Sequence, residues 1–515
     1  MKPNRTKLGV DYAGGLKEES TAFGGAGLLV ELYRQSGAAE SAEQALPQKR
    51  SPKGLRQWEM VESFVLLSAL GGECLDDMAR LREDQGLAIM LGYQPPAPET
   101  ARQWLDRFHD EPLMAQRPAQ GSFLPAESTG LEGLQRVNQR VVQAYVQANN
   151  SGEEVTLDVD AHLVETSQAN AQYCYEGYKA YQPLVVCWAE TGLVLRDEFR
   201  EGNVPASQDI RRIVDEAYEA LPPDGWKVRV RSDSAAYEPE GILDHWQGRG
   251  WEFAVSADMS PQLRGAIEAL PQEAWRPWKT EAKGTIREWA EVPYVPSRKQ
   301  ERKDAPVYRY VAIRVRQPQG QLWPDGNSTR HYAVVTNRWE MEGQALLEWQ
   351  RGKAGTIEHI NDILTSGLGA GVYPSAQHGA NAVWLRLQVL THNLLQLLKA
   401  VALPPEYANA RPKRLRFAVF THIGQVVRHA GQVMMRLSNG ALHLLVYPAQ
   451  GRILGVNWAR VEPTRGAAYA IGVPERSTAT APRGPERGAC RKPAPTLFTS
   501  QLNPTRELSS GPISP

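Results

Sequence analysis

Three short acidic stretches, widely separated, constrain this chain more than any other feature. They are Val155-Thr-Leu-Asp158-Val-Asp160, Val228-Arg-Val-Arg-Ser-Asp233-Ser and Gly355-Thr-Ile-Glu358-His-Ile. The first two end apolar, β-branched runs that read as strands, and the third lies on a predicted helix. Acids from three separate elements can meet only where a sheet and a helix bring them together. So assembled, they can hold two hard divalent cations, which clamp the attacking and leaving oxygens of a phosphoryl transfer. The pattern points to nucleic-acid strand transfer.

At 515 residues the chain exceeds one ordinary domain, and its 42% apolar share is enough for real cores. Its four cysteines (Cys74, Cys174, Cys187, Cys490) show no CxxC spacing and no nearby His pair. That argues against a zinc site or a disulfide framework and fits a reducing, cytoplasmic setting. The N-terminus lacks a charged-then-apolar signal pattern, and no window approaches eighteen uninterrupted apolar residues, so a membrane is not an expected partner. The net charge of zero hides an asymmetry. From residue 401 onward 15 Lys and Arg stand against 5 Asp and Glu, which leaves 43 against 53 in the remainder. A basic C-terminal part suits phosphate contacts and an acidic part suits metal binding; the alternative is a basic tail with no partner.

The pattern along the chain predicts an α/β architecture. Residues 1–150 read as a helical N-terminal domain, with helices at 27–36, 58–70, 75–81, from 99 and at 130–150. On the helix from 99, Arg102 and Arg107 lie outside the apolar stripe. The segment is therefore either a helix-turn-helix module reading DNA or a bundle that packs on the next domain. Residues 151–271 give three strands, a helix, a strand, a helix and a strand, the order of an RNase H-like mixed sheet. Residues 272–340 read as a β-rich insertion carrying Trp275, Trp278 and Trp289, which either stack on a displaced base or form the insertion's own core. Residues 341–465 return to helices as the C-terminal part of the core. Residues 466–515, rich in Pro, Gly, Arg and Thr, read as disordered.

Each acidic motif has two readings. Asp158 and Asp160, two apart on a strand, share a face and repel unless a cation or an Arg lies between them; otherwise they are a strand end reaching solvent. Asp233 follows a strand's carboxyl end, where open α/β sheets bind ligands, and it is equally a helix N-cap. Glu358, with Asp362 four residues on, is a metal ligand or part of a solvated helix face.

Taken in order, these motifs and several further stretches resemble the DDE-type transposases of bacterial insertion sequences that carry a β-rich insertion before the final Glu. The further stretches are Tyr175-Glu-Gly-Tyr-Lys-Ala-Tyr-Gln-Pro-Leu184, Arg200-Glu-Gly-Asn203, Phe253-Ala-Val-Ser256, Val335-Thr-Asn337 and Gly379-Ala-Asn381 before an apolar helix ending Thr-His-Asn393-Leu-Leu. The resemblance covers roughly residues 20–460. It implies an Asp-Asp-Glu triad of Asp160, Asp233 and Glu358 holding two Mg²⁺ or Mn²⁺ ions. Asp160 is preferred to Asp158 because Ala161-His162 gives the small-then-polar sequence after the acid, with Asp158 as a sharing or substitute ligand. The implied chemistry is cleavage at the element's ends and strand transfer into target DNA. The implied partners are terminal inverted repeats and target DNA, bound by a homodimer. Relatives often carry a Tyr seven and an Arg four residues before the Glu, and a Lys seven after it. Here those positions hold Arg351, Ala354 and Thr365. Arg351 and Lys353 would then supply the charge towards DNA, together with Arg102, Arg107, Lys413 and Arg414. Loss of those positions leaves a second reading, a catalytically inactive transposase-derived DNA-binding protein.

Overall fold

A computed structural model describes residues 17–441 apart from 50–52, 150–151, 224, 282–283, 301–305, 430–431 and 439–440. The tail expected at 466–515 and the end of the 341–465 segment lie outside the described residues.

The helices that position the site are α1 (Gly27–Gln35), α2 (Ala38–Ala45), α3 (Gln57–Leu70), α4 (Pro98–Asp106), α5 (Thr129–Ala148), α6 (Ile210–Glu219), α7 (Gly343–Arg351), α8 (Lys353–Asp362) and α9 (His378–Val401). Helix starts follow local chemistry. Pro98 opens α4, where its missing N–H costs nothing. Ser128 caps α5 by accepting from the Leu131 N–H at 3.3 Å.

Nine strands form one sheet: β1 (Glu154–Ala161), β2 (Leu184–Trp188), β3 (Leu193–Glu198), β4 (Lys227–Ser232), β5 (Glu252–Ser256), β6 (Arg276–Thr280), β7 (Ile286–Val292), β8 (Arg309–Arg316) and β9 (Thr329–Thr336). Their spatial order is β3-β2-β1-β4-β5-β9-β8-β7-β6. The β1–β4 and β4–β5 pairs are parallel and the others antiparallel. The first five strands, with α6 crossing from β3 to β4, form the RNase H-like mixed sheet expected from the element order. Strands β6 to β9 continue that sheet, since β9 pairs with β5 through Val334↔Ser256, Val335↔Val255 and Thr336↔Ala254. Segment 272–340 is thus an extension of the core sheet. Its outermost strand tolerates Pro277, because an edge strand can spare one donor.

Helix α9 is buried on nearly all sides, as suits a helix at the centre of a domain. Leu387, Leu390, Leu394, Leu397 and Leu398 are each at most 1% exposed, and each full burial is worth about 1.5–3 kcal/mol. Helices α1, α3, α4 and α5 pack around it. Helix α4 contributes Trp104, stacked on Phe64 of α3, so its apolar stripe faces this bundle. The close approach at the start of α9 requires Gly379, where a Cβ would lie 2.3 Å from the Phe108 carbonyl oxygen.

A polar seam joins α9 to the sheet edge. Strand β3 leaves backbone groups of Val194 facing outward, and such groups must find partners once buried. Asn393 supplies them. Its Oδ1 accepts from the Val194 N–H at 2.8 Å and its Nδ2 donates to the Val194 carbonyl at 2.7 Å. Asn138 of α5 donates to the same carbonyl at 3.0 Å. The Thr-His-Asn393 motif is therefore a lock between helix and sheet.

Trp275 and Trp289 are buried in the sheet's apolar clusters, and Trp289 lies against Gly343 of α7. Both are core residues. No helix among the described residues is long and apolar enough to cross a membrane.

Candidate active site

Strand period places Asp158 and Asp160 on the same face of β1, but their surroundings differ. Asp158 is fully buried. The parallel register sets it opposite Arg231 of β4, whose Nε and Nη2 donate to the two carboxylate oxygens at 2.6 and 2.7 Å. Thr356 of α8 donates to Asp158 as well. Arg231 also donates to the Trp349 carbonyl at 2.6 Å and lies over the Trp349 ring. Asp158 is thus the inner half of a buried ion pair. Of the two sequence readings for neighbouring acids, neutralisation by cations holds, with Arg231 on Asp158 and Lys353 on Asp160.

Asp160 lies one step nearer the carboxyl end of β1, at the mouth of the sheet. Lys353 Nζ is 2.7 Å from its Oδ1, and Asn361 Nδ2 donates to its Oδ2 at 3.1 Å. Lys353 and Asn361 are two helical turns apart on the α8 face that packs on β1. Glu358 lies at the exposed edge of that face. Asp233 directly follows β4, is exposed, and caps a short turn by accepting from the Ala235 N–H at 3.1 Å. The three candidate acids share one electrostatic environment. Burial raises the Asp160 carboxyl above its ordinary range; Lys353 opposes that rise, and Asp233 and Glu358 add to it. Burial would lower the Lys353 ammonium, yet Asp160, Asp233 and Asp158 hold it above its ordinary value. The shifts differ in their main cause, burial at Asp160 and the neighbouring carboxylates at Lys353. Four carboxylates (Asp158, Asp160, Asp233, Glu358) face two cations, Arg231 and Lys353.

The donor chemistry suits a hard cation, but the arrangement does not yet form a cation site. Both oxygens of Asp160 are engaged, and both of Asp158 are held by Arg231. Among the described residues no three His, Cys, Asp or Glu side chains are close enough to hold a metal. The two-ion expectation therefore meets a site whose residues, as folded, do not fit the ions.

The expected DNA-contacting residues are dispersed. Arg351 closes α7, lies over the Trp278 ring, and lines a cleft of about 370 Å³ with Ser234, Arg287, Trp323 and Tyr332. Ser234 puts this cleft beside Asp233. Lys353 is turned inward to Asp160. Lys413 and Arg414 are exposed on a short helix whose Arg411 pairs with Asp362 of α8. Arg102 lies 3.5 Å from Glu99 on α4, and Arg107 lines a separate cleft with Lys49 and Lys53. The sequence reading missed the structural partners of the acids: Arg231, Thr356 and Asn361. Helical spacing from Lys353 signals the last two, and the β1–β4 register signals Arg231.

Residues 5–448 match the family profile described as "Transposase DDE domain group 1". The chain belongs to this transposase family. No curated protein matches it. Among solved structures, a piggyBac transposase synaptic complex with hairpin DNA is similar at 9% identity and a TM-score of 0.39, over 76% of this chain and 78% of that one. In this transposase the candidate acids stand at the carboxyl ends of the adjacent parallel strands β1 and β4 and on the helix packed against them.

Proposed function

We propose that this transposase cleaves DNA at the ends of its element and transfers the freed strands into target DNA, with Asp160, Asp233 and Glu358 as its catalytic acids. One observation supports the reading: Asp233 and Glu358 both act on the charge of Asp160 at the carboxyl end of β1, where an α/β sheet presents its ligand site. Asp160 is the better first acid because Asp158 is fully buried in its pair with Arg231. DDE transposases in general use divalent metal ions, and the excess of carboxylates agrees with that demand.

The path of DNA follows from charge. Arg351 and Arg287 line the cleft beside Asp233, and Lys413 and Arg414 are exposed on the short helix tied to α8 through the Arg411–Asp362 pair. A phosphodiester backbone laid between them would cross the mouth that holds the acids. Terminal inverted repeats and target DNA are the proposed partners, and joining two ends calls for at least two subunits, so we propose a homodimer on DNA.

The test is strand cleavage on a duplex ending in the element's own terminal repeat, with Mg²⁺, for wild type and Asp233→Asn. Nicking at the repeat boundary by wild type alone is expected. Equal binding without nicking in both proteins would overturn the catalytic assignment and leave the DNA-binding reading.

A further inference from the structure

The disagreement between the acids and an ion has a definite cause. Lys353 is 8% exposed, an unusual depth for a lysine, and its ammonium is 2.7 Å from Asp160 Oδ1. On the other oxygen of Asp160 sits Asn361, whose own Oδ1 is buried with no hydrogen-bond partner in the protein. Buried polar atoms are normally satisfied, so an orphaned amide oxygen beside a carboxylate marks a place short of a cation or a donor. Asp233 and Glu358 are exposed at the same mouth and add their negative charge to it.

We propose that Lys353 is a resident counter-cation: its ammonium occupies the position at Asp160 that a divalent ion would need, and this is why the residues as folded do not fit an ion there. This rests on the reading of Asp160 as a catalytic acid. The charge argument is direct. An ammonium and a divalent cation cannot share one carboxylate oxygen at hydrogen-bond distance without strong repulsion. Lys353 acts through Asp160, so it is a positioning residue.

The full-length protein, titrated with Mn²⁺ alone and without DNA, tests this. Lys353→Met removes the competitor, so Mn²⁺ should bind about tenfold tighter or more than to wild type by calorimetry. Adding Asp160→Asn to that variant should abolish the gain. In EDTA the Lys353→Met protein should melt at a lower temperature than wild type, and Mn²⁺ should restore it. Should Lys353→Met fail to fold, Lys353→Gln, which keeps a hydrogen bond without the charge, carries the same expectation. Wild type gives an independent reading, since Mn²⁺ should raise the rate of amine acylation at Lys353 several-fold by mass spectrometry. Unchanged or weaker Mn²⁺ binding in the variants, or acylation indifferent to Mn²⁺, overturns the proposal. Tighter Mn²⁺ binding with no nicking of the terminal-repeat duplex by wild type would leave the proposal standing and sink the catalytic reading instead.

Discussion

Asp158 and Arg231 face each other across the parallel pair β1–β4 and close two hydrogen bonds of 2.6 and 2.7 Å at full burial. Two residues along the same strand, Asp160 is held by a lysine and an amide at the open end of the sheet. One strand thus carries a structural acid and a candidate catalytic acid on the same face.

Their substitutions should separate accordingly. Removing one partner of a buried pair leaves the other charge uncompensated, at a cost of about 3–5 kcal/mol. Asp158→Ala should show a loss of that size in urea unfolding. Asp160→Ala should lose clearly less, because its side chain keeps 15% exposure and Asp233 and Asp158 still face the Lys353 ammonium. Equal losses would mean that both acids serve the fold alike.

Asp233→Asn and Glu358→Gln should abolish strand cleavage, with rates down by about a hundredfold or more, while leaving stability within about 0.5 kcal/mol. Asn caps a turn as well as Asp does, and Glu358 is exposed, so neither change disturbs packing. Cleavage assays beside thermal melts give both numbers. A substituted protein that still nicks at wild-type rate would remove that acid from the triad.

The strands bearing the acids were legible because apolar, β-branched runs mark them and a two-residue period fixes their faces. Helix α9 was legible from its length of apolar sequence, although it starts earlier than expected, at His378. Helix α8 runs from Lys353 and takes in Gly355. What was hidden is pairing across the chain. Nothing local in 329–336 says that β9 joins β5, so the pairing of the β-rich insertion with the core sheet was not legible. Strands β6 and β7 and the paired strands Gly424–His429 and Gln432–Leu437 were hidden for a related reason, since mixed polar sequence and Pro277 obscure the alternation. At the site, Lys353 read as a DNA contact because burial is invisible in a charge pattern. Only the packing of α8 on β1 turns it inward.

Arg351→Ala should weaken binding to any DNA sequence to a similar degree and lower the salt-dependence slope by about one, since Arg351 lies at the cleft beside Asp233 and would meet a phosphate. Fluorescence anisotropy across a salt series measures this. An unchanged slope would assign the arginine to its contact with the Trp278 ring alone.

Acid sensitivity should trace in part to the seam between α9 and the sheet edge. His392 is buried, and its neutral ring donates from Nε2 to the Gly192 carbonyl at 2.8 Å. Burial lowers it from an ordinary 6.5 to about 4, with Lys399 and His359 pushing the same way. The unfolded chain therefore takes up a proton near pH 6.5 that the folded chain refuses until about pH 4. Stability contributed by the neutral ring is present above pH 6.5 and falls by about 1.4 kcal/mol per unit between those values. His392→Gln keeps a donor for Gly192 but cannot titrate. Its urea-unfolding free energy should drop less than that of wild type between pH 7 and pH 4.5, even if the variant is less stable at pH 7. Parallel pH profiles for the two proteins would place the acid sensitivity elsewhere in the fold.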